Sequence, residues 1–230
     1  VINAGAYTRV DAAETAAGRR EAWAVNVIGV AGLVEAARKH RFTLVHISSD
    51  YIFDGSVELH TENEPFSPLG VYGQTKAAGD ALVGSLPAHY LLRTSWVIGD
   101  GHNFVRTMAS VADRGVSPEV VDDQFGRLTF TTEISRAIHH LLETDAPYGT
   151  YNLSNAGDRM TWASIARAVF QARGRDASSV RGVTTTEYGA GKSLAPRPRN
   201  SMLSLDKIIG SGFQPADAMT QLAAYLATVH

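Results

Sequence analysis

The sequence predicts an α/β protein with a parallel sheet covered by helices, and three observations carry that prediction. Short apolar runs alternate with longer segments whose apolar residues recur at helical spacing. The early runs "VINAGAY" (1–7) and "TLVHISS" (43–49) are nearly uniformly apolar, as strands covered on both faces are. The stretches between runs are long enough to hold the helix that a parallel crossover needs.

Taken in order, residues 1–7 read as a strand ending in small residues. Ala24, Val25, Val27, Ile28, Ala31, Val34 and Ala37 then recur at helical spacing and predict a helix before the strand at 43–49. Residues 50–70, with Gly55, Pro65, Pro68 and Gly70, read as a loop. A helix follows from about Val71, then a strand at 90–98 and a helix around 103–114. Another helix is expected at roughly 132–143, with a strand at 149–154. Thr161 reads as the N-cap of a helix near 162–173, and 214–229 as a closing helix. The division expected is a sheet domain over 1–121 and a smaller lobe over 122–230, with about 131–154 returning to the sheet.

Composition narrows the function classes. The 230 residues are enough for one large domain or a domain with a lobe. A formal net charge of −2 gives no electrostatic case for nucleic acid or an anionic membrane. The chain contains no cysteine, so disulfides and thiolate metal sites are excluded. No apolar run reaches the length of a membrane span, and no signal peptide is visible, so a cytoplasmic location is the default.

The chemistry begins with "VYGQTKAAGD" (71–80), which sets Tyr72 and Lys76 one helical turn apart. A phenol with an ordinary pKa near 10 is a reluctant acid or base at neutral pH. A neighbouring ammonium favours the phenolate and is expected to lower that pKa. Ser49, ending a strand, is placed to orient a carbonyl oxygen beside the phenol. Such a trio suits reduction of a ketone. Alone, the pair is more simply a half-exposed helix face. The order of the pieces gives it weight: a small-residue strand end, a helix, a serine-ended strand, a loop, then the pair opening a helix.

With those residues in view, the segments "VINAGAYTRVDAAE", "LVHISSDYIFDG", "PFSPLGVYGQTKAAGD", "LRTSWVIGDGHNFVRTM", "VVDDQFGRLT" and "RPRNSMLSLDKI" resemble, in that order, the dTDP-4-dehydrorhamnose reductases. These are extended short-chain dehydrogenase/reductases with a Rossmann-like, doubly wound parallel sheet and a C-terminal substrate lobe. The resemblance implies that Tyr72 is the proton donor and that Lys76 lowers its pKa and holds the nicotinamide ribose. Ser49 stands where the family usually carries threonine. Asp50 and Trp96 would contact the substrate. Ala4, Gly5, Ala6 and Tyr7 would lie along the cofactor, where small side chains allow close approach. Asn103 and Phe104 would help close the sugar pocket, and Arg197 would approach the diphosphate. Trp96 as ordinary core and Arg197 as a solvated loop cation stay open.

The implied activity is reduction of the 4-keto group of a nucleotide-activated 6-deoxy sugar by NADPH, with NADH left open. Sugar-nucleotide 4,6-dehydratases carry a Thr-Asp-Glu run; here Tyr51 follows Asp50, which favours reduction without elimination. The second reading is a non-catalytic NADP-binding subunit resembling the regulatory subunit of methionine adenosyltransferase. A homodimer is left open. The family's glycine-rich dinucleotide turn precedes the strand at which this sequence starts, so the N-terminal βαβ portion is expected to be missing. Alone, such a chain is expected to bind cofactor poorly and to expose a sheet edge.

Three features read as decoys. "GAGKS" (189–193) imitates a P-loop, but Thr186 stands where a glycine is needed. His139 and His140 are adjacent, about 100° apart on a helix, and no metal is expected there. Asp122 and Asp123 read as a turn or polar contact.

Overall fold

The computed structural model describes residues 1–229. Its centre is a four-stranded parallel sheet in the order β1 (Ile2–Asn3), β2 (Leu44–Ser49), β3 (His89–Thr94), β8 (Gly149–Leu153), with β1 at one edge. Three short pairs complete the strands: β4 (Val97–Ile98) with β7 (Thr129–Phe130), β5 (Glu119–Val121) with β10 (Arg181–Val183), and β6 (Phe125–Gly126) with β9 (Met160–Thr161). The helices are α1 (Ala16–Trp23), α2 (Val30–His40), α3 (Val71–Gly84), α4 (Phe104–Asp113), α5 (Thr131–Glu143), α6 (Trp162–Ala172), α7 (Thr185–Gly189), α8 (Asp206–Gly210) and α9 (Ala218–Leu226). Among the described residues no helix is long and apolar enough to cross a membrane.

Strand alternation sorts the sheet into two cores. Leu44 and Leu91 point to one face, against Val30, Val34 and Ala37 of α2 and Val83 of α3. Val45, Tyr90, Leu92, Tyr151 and Leu153 point to the other, against Ile134, Ala137, Ile138 and Leu141 of α5 and Ile208 of α8. A third core belongs to the lobe, where α4, α6 and α9 close around Leu128 and Phe130. Ile98, Val105, Met108 and Val120, which precede residue 122, pack in this third core. At Trp96 a φ of 46° turns the chain out of β3 into β4. The single strand expected at 90–98 is therefore broken in two.

Two other expectations change. The strand expected over 1–7 ends at Asn3, because side chains take over its backbone partners. Asn3 Oδ1 accepts the Gly5 N–H, and Asn26 brackets Tyr7 by accepting its N–H at 2.8 Å and donating to its carbonyl at 3.2 Å. The helix expected from 24 carries a π-helical turn over Ala24–Gly29 between α1 and α2. Its wider turn shifts the inward stripe to Asn26, Val30, Val34 and Ala37, leaving Ile28 69% exposed.

Candidate active site

The site forms where β2 ends and α3 begins. Ser49 closes β2, and its Oγ accepts the Tyr51 N–H at 3.2 Å, capping a one-turn 3₁₀ helix, Asp50–Ile52. α3 lacks a capping side chain of its own at Gly70; instead Glu14 Oε1 accepts the Val71 N–H at 2.8 Å, putting a carboxylate at the positive end of the helix. A Cβ on Gly73 would sit 2.1 Å from the Tyr51 carbonyl oxygen, so only glycine lets α3 press this closely on the chain leaving Ser49. That contact brings Tyr72 to Ser49. The rings of Tyr51 and Tyr72 meet edge to face at 5.5 Å.

Ser49, Tyr72 and Lys76 are thus gathered at one sheet edge. The Ser49 hydroxyl lies near the Tyr72 phenol and favours its ionised form. Lys76 is 3% exposed, and its Nζ donates to the Ile47 carbonyl at 2.8 Å. Burial pushes the Tyr72 phenol up to about 12, the neighbouring Ser49 hydroxyl opposes this, and Asp50 and Asp80 add to it. Burial likewise lowers Lys76, to about 8, with its Nζ turned to a backbone carbonyl. Beside Lys76, burial lowers His46 to about 3, and its Nδ1 lies 2.9 Å from the Asn3 amide nitrogen; the ring is neutral.

Sequence reading missed the support beneath the trio. Asp80, one turn beyond Lys76, is buried and accepts Arg93 Nε at 3.1 Å. Burial raises its carboxyl, with Arg93 pulling the other way. Arg93 also donates to the Glu62 carbonyl and lies over the rings of Phe53 and Phe66. Asn26 links helix and helix by donating to Thr75 Oγ1 at 3.0 Å. A lone asparagine in an otherwise apolar helical run was the available signal.

A cleft of about 640 Å³ opens in the lobe, lined by Phe104, Trp162, Tyr188, Leu194 and Arg197 among others; none of the trio is on its wall. Arg197 pairs with Asp11 at 2.9 Å, donates to the Ala195 carbonyl, and reaches Tyr51. Trp96 stacks on Trp162 at 3.9 Å, with Phe104 4.7 Å from Trp162. Two expected substrate residues sit differently. Asp50 is 3% exposed and accepts the Ser49 hydroxyl at 3.1 Å, below the cleft rather than on its wall. Asn103 caps α4 with its Oδ1 and spends its amide protons on Gly99, Gly101 and Tyr225, so its side chain is committed to the lobe. The decoys resolve as polar contacts: Asp122 binds Thr161 and Arg167, Asp123 binds Thr185, and Lys192 lies over the Tyr188 ring.

The profile of the RmlD substrate binding domain matches residues 1–230. A dTDP-4-dehydrorhamnose reductase of Aggregatibacter actinomycetemcomitans is 37% identical over 242 residues, spanning 98% of this chain and 80% of that protein. The chain belongs to the dTDP-4-dehydrorhamnose reductase family. A crystal structure of the Bacillus anthracis dTDP-4-dehydrorhamnose reductase in complex with NADP superposes with a TM-score of 0.89 at 32% identity, covering 98% of this chain and 79% of that one. A probable dTDP-4,6-dihydroxy-2-methyloxan-3-one 4-ketoreductase of Streptomyces antibioticus is 36% identical over 219 residues, or 94% of this chain and 72% of that protein.

The residues present fit the dinucleotide seen in the Bacillus anthracis reductase. Among the described residues Lys76 Nζ has one hydrogen-bond partner, which leaves two of its three protons for a ligand. At the carboxyl end of β1, Ala4 and Gly5 are exposed and Ala6 is partly so, where ligands bind in parallel sheets. Tyr7 is the exception: it is buried with Ala13, Ala22 and Val71, and Asn26 holds its backbone.

Proposed function

We propose that this chain carries the catalytic and substrate-binding part of an NADPH-dependent reductase acting on the 4-keto group of a nucleotide-activated 6-deoxy sugar, with dTDP-4-dehydro-L-rhamnose as the substrate. The observation that carries the reading is the gathering of the Ser49 hydroxyl, the Tyr72 phenol and buried Lys76 where β2 ends and α3 begins, with Arg197 reaching from the wall of the lobe's cleft to Tyr51. The reductase of Aggregatibacter actinomycetemcomitans and the probable 4-ketoreductase of Streptomyces antibioticus are both named for reductions, which supports the enzyme over the regulatory-subunit reading.

In the mechanism, Ala4, Gly5 and Ala6 flank the dinucleotide and Lys76 binds its ribose hydroxyls through the two free protons. Bound there, the dinucleotide supplies the hydride. Ser49 donates a hydrogen bond to the ketone oxygen and fixes it beside the phenol. Tyr72, held protonated by its burial, releases its proton to that oxygen as negative charge develops on it. Lys76 stabilises the tyrosinate left behind, which makes the phenol a stronger acid as the proton leaves. Trp96 and Phe104 give the sugar an apolar wall, and Arg197 exchanges its Asp11 partner for the diphosphate.

The test is to follow NADPH absorbance with dTDP-4-dehydro-L-rhamnose, using protein expressed from the complete gene. Stoichiometric formation of dTDP-L-rhamnose supports the reading. Binding of both ligands with no oxidation of NADPH contradicts it and returns the non-catalytic alternative.

A further inference from the structure

The Ser49 oxygen has more claims on it than one hydroxyl can meet. It has two lone pairs and one proton. One lone pair takes the Tyr51 N–H at 3.2 Å, and the hydrogen goes to Asp50 Oδ1 at 3.1 Å. With its one hydrogen committed to Asp50, Ser49 has none left for a ketone.

We propose that Asp50 sets the direction of the Ser49 hydrogen bond, so that only its protonated form leaves Ser49 and Tyr72 both free to donate to the substrate oxygen. The inference rests on the reductase reading. When the Asp50 carboxyl carries its proton it donates to Ser49 in place of accepting. Ser49 then accepts from Asp50 and from the Tyr51 N–H, and its own hydrogen turns to the ketone. The neighbouring Tyr72 phenol donates to the same oxygen. No bond other than hydrogen bonds changes, and no further reactant is needed. Asp50 touches neither substrate nor cofactor in this scheme; it is a positioning residue.

The surroundings favour the protonated acid. Asp50 is buried, and its Oδ2 has no hydrogen-bond partner among the described residues, an expensive position for an ionised oxygen. Burial raises its pKa to about 6. Hydrogen bonds from Ser201 and Ser49 oppose the rise, Ser201 lying near but outside good bonding geometry to Oδ2. The charged and titratable neighbours are few. Tyr51 and Tyr72 are buried phenols pushed up by desolvation, and Arg197 lies beyond Tyr51. From the following loop His60 exerts a weaker opposing pull, its ring nitrogens facing the Glu64 carboxylate and the Asn200 carbonyl.

Activity is therefore expected to fall as pH rises through the Asp50 pKa. The experiment is the pH dependence of kcat/KM for NADPH oxidation with the keto sugar, for wild type, Asp50→Asn and Ser201→Ala. Asparagine is neutral at every pH and offers Ser49 an N–H, as the protonated acid does. The ratio of rates at pH 5.5 and 7.0, a window below the titration of Lys76, is expected to be about 8 in the wild type and should approach unity in Asp50→Asn with the low-pH rate largely kept. Ser201→Ala removes a hydroxyl whose nearness favours the ionised carboxylate and should carry the falling limb to higher pH, which keeps the inference testable if Asp50→Asn folds poorly. A folded Asp50→Asn that is inactive throughout, or that retains the limb, overturns the proposal, as does a limb unmoved by Ser201→Ala. A wild-type protein that reduces no keto sugar contradicts the reductase reading instead.

Discussion

A methyl group on Gly126 would lie 2.7 Å from Cε2 of the Trp96 indole, closer than carbon atoms approach without displacement. Gly126 stands on β6, paired with Met160 of β9, and the indole is held between this bare backbone and the Trp162 ring. Trp96 also keeps a left-handed backbone conformation, which for a tryptophan costs about 1–3 kcal/mol. The packing around the indole supplies the restraint that holds it there.

Gly126→Ala should therefore push Trp96 toward the cleft. The expected result is a KM for the nucleotide sugar raised roughly tenfold, the KM for NADPH unchanged, and a stability loss of about 1–3 kcal/mol from overpacking. Steady-state kinetics with each substrate varied in turn checks it. Equal changes in both KM values would mean that Trp96 does not serve the sugar side.

Lys76 makes a prediction about stability with a definite sign. Its pKa falls from the ordinary 10.5 to about 8 because burial disfavours the ammonium. The unfolded chain then holds the proton more tightly than the native one. Below pH 8 folding bears the whole penalty, about 3 kcal/mol, which shrinks between pH 8 and 10.5 as the unfolded lysine also loses its proton. Lys76→Met should be more stable than wild type at pH 7, with the advantage narrowing toward pH 10, while losing activity. Urea unfolding at the two pH values reads the difference. A gap that does not vary with pH would show that no desolvated charge sits there.

The Asp80–Arg93 pair should behave as a buried charge pair does. Asp80→Ala strands the Arg93 guanidinium and is expected to cost about 3–5 kcal/mol, whereas Asp80→Leu combined with Arg93→Met should recover much of that loss. Chemical denaturation of both variants tests it. A double variant no better than the single would place the cost elsewhere than in the unpaired charge.

Sheet strands and capped helices were the most legible parts of this molecule. β2 announces itself by an apolar run buried on both faces, and Thr161 caps α6 in a capping box with Ser164. The meeting of Ser49 with Tyr72 followed from element order alone. What stayed hidden depends on side chains replacing backbone partners. Asn3 and Asn26 shorten β1, and nothing in "VINAGAY" tells a ladder hydrogen bond from one made by an amide side chain. The turn at Trp96 was equally opaque, because a bulky residue with positive φ is fixed by its neighbours rather than by local preference. The burial of Tyr72 and Lys76 was hidden as well: helical spacing gives proximity, whereas the desolvation of both groups depends on what packs over them.

The most direct measurement is kcat for NADPH-dependent reduction of dTDP-4-dehydro-L-rhamnose by Tyr72→Phe. Removing one hydroxyl from a buried ring should leave the circular dichroism spectrum and the KM of the nucleotide sugar close to wild type. The rate should fall about 10²- to 10⁴-fold, the contribution of a positioned general acid. A folded Tyr72→Phe enzyme that turns over within a few-fold of wild type would contradict the assignment of the proton to this phenol, and with it the carbonyl chemistry assigned to the site.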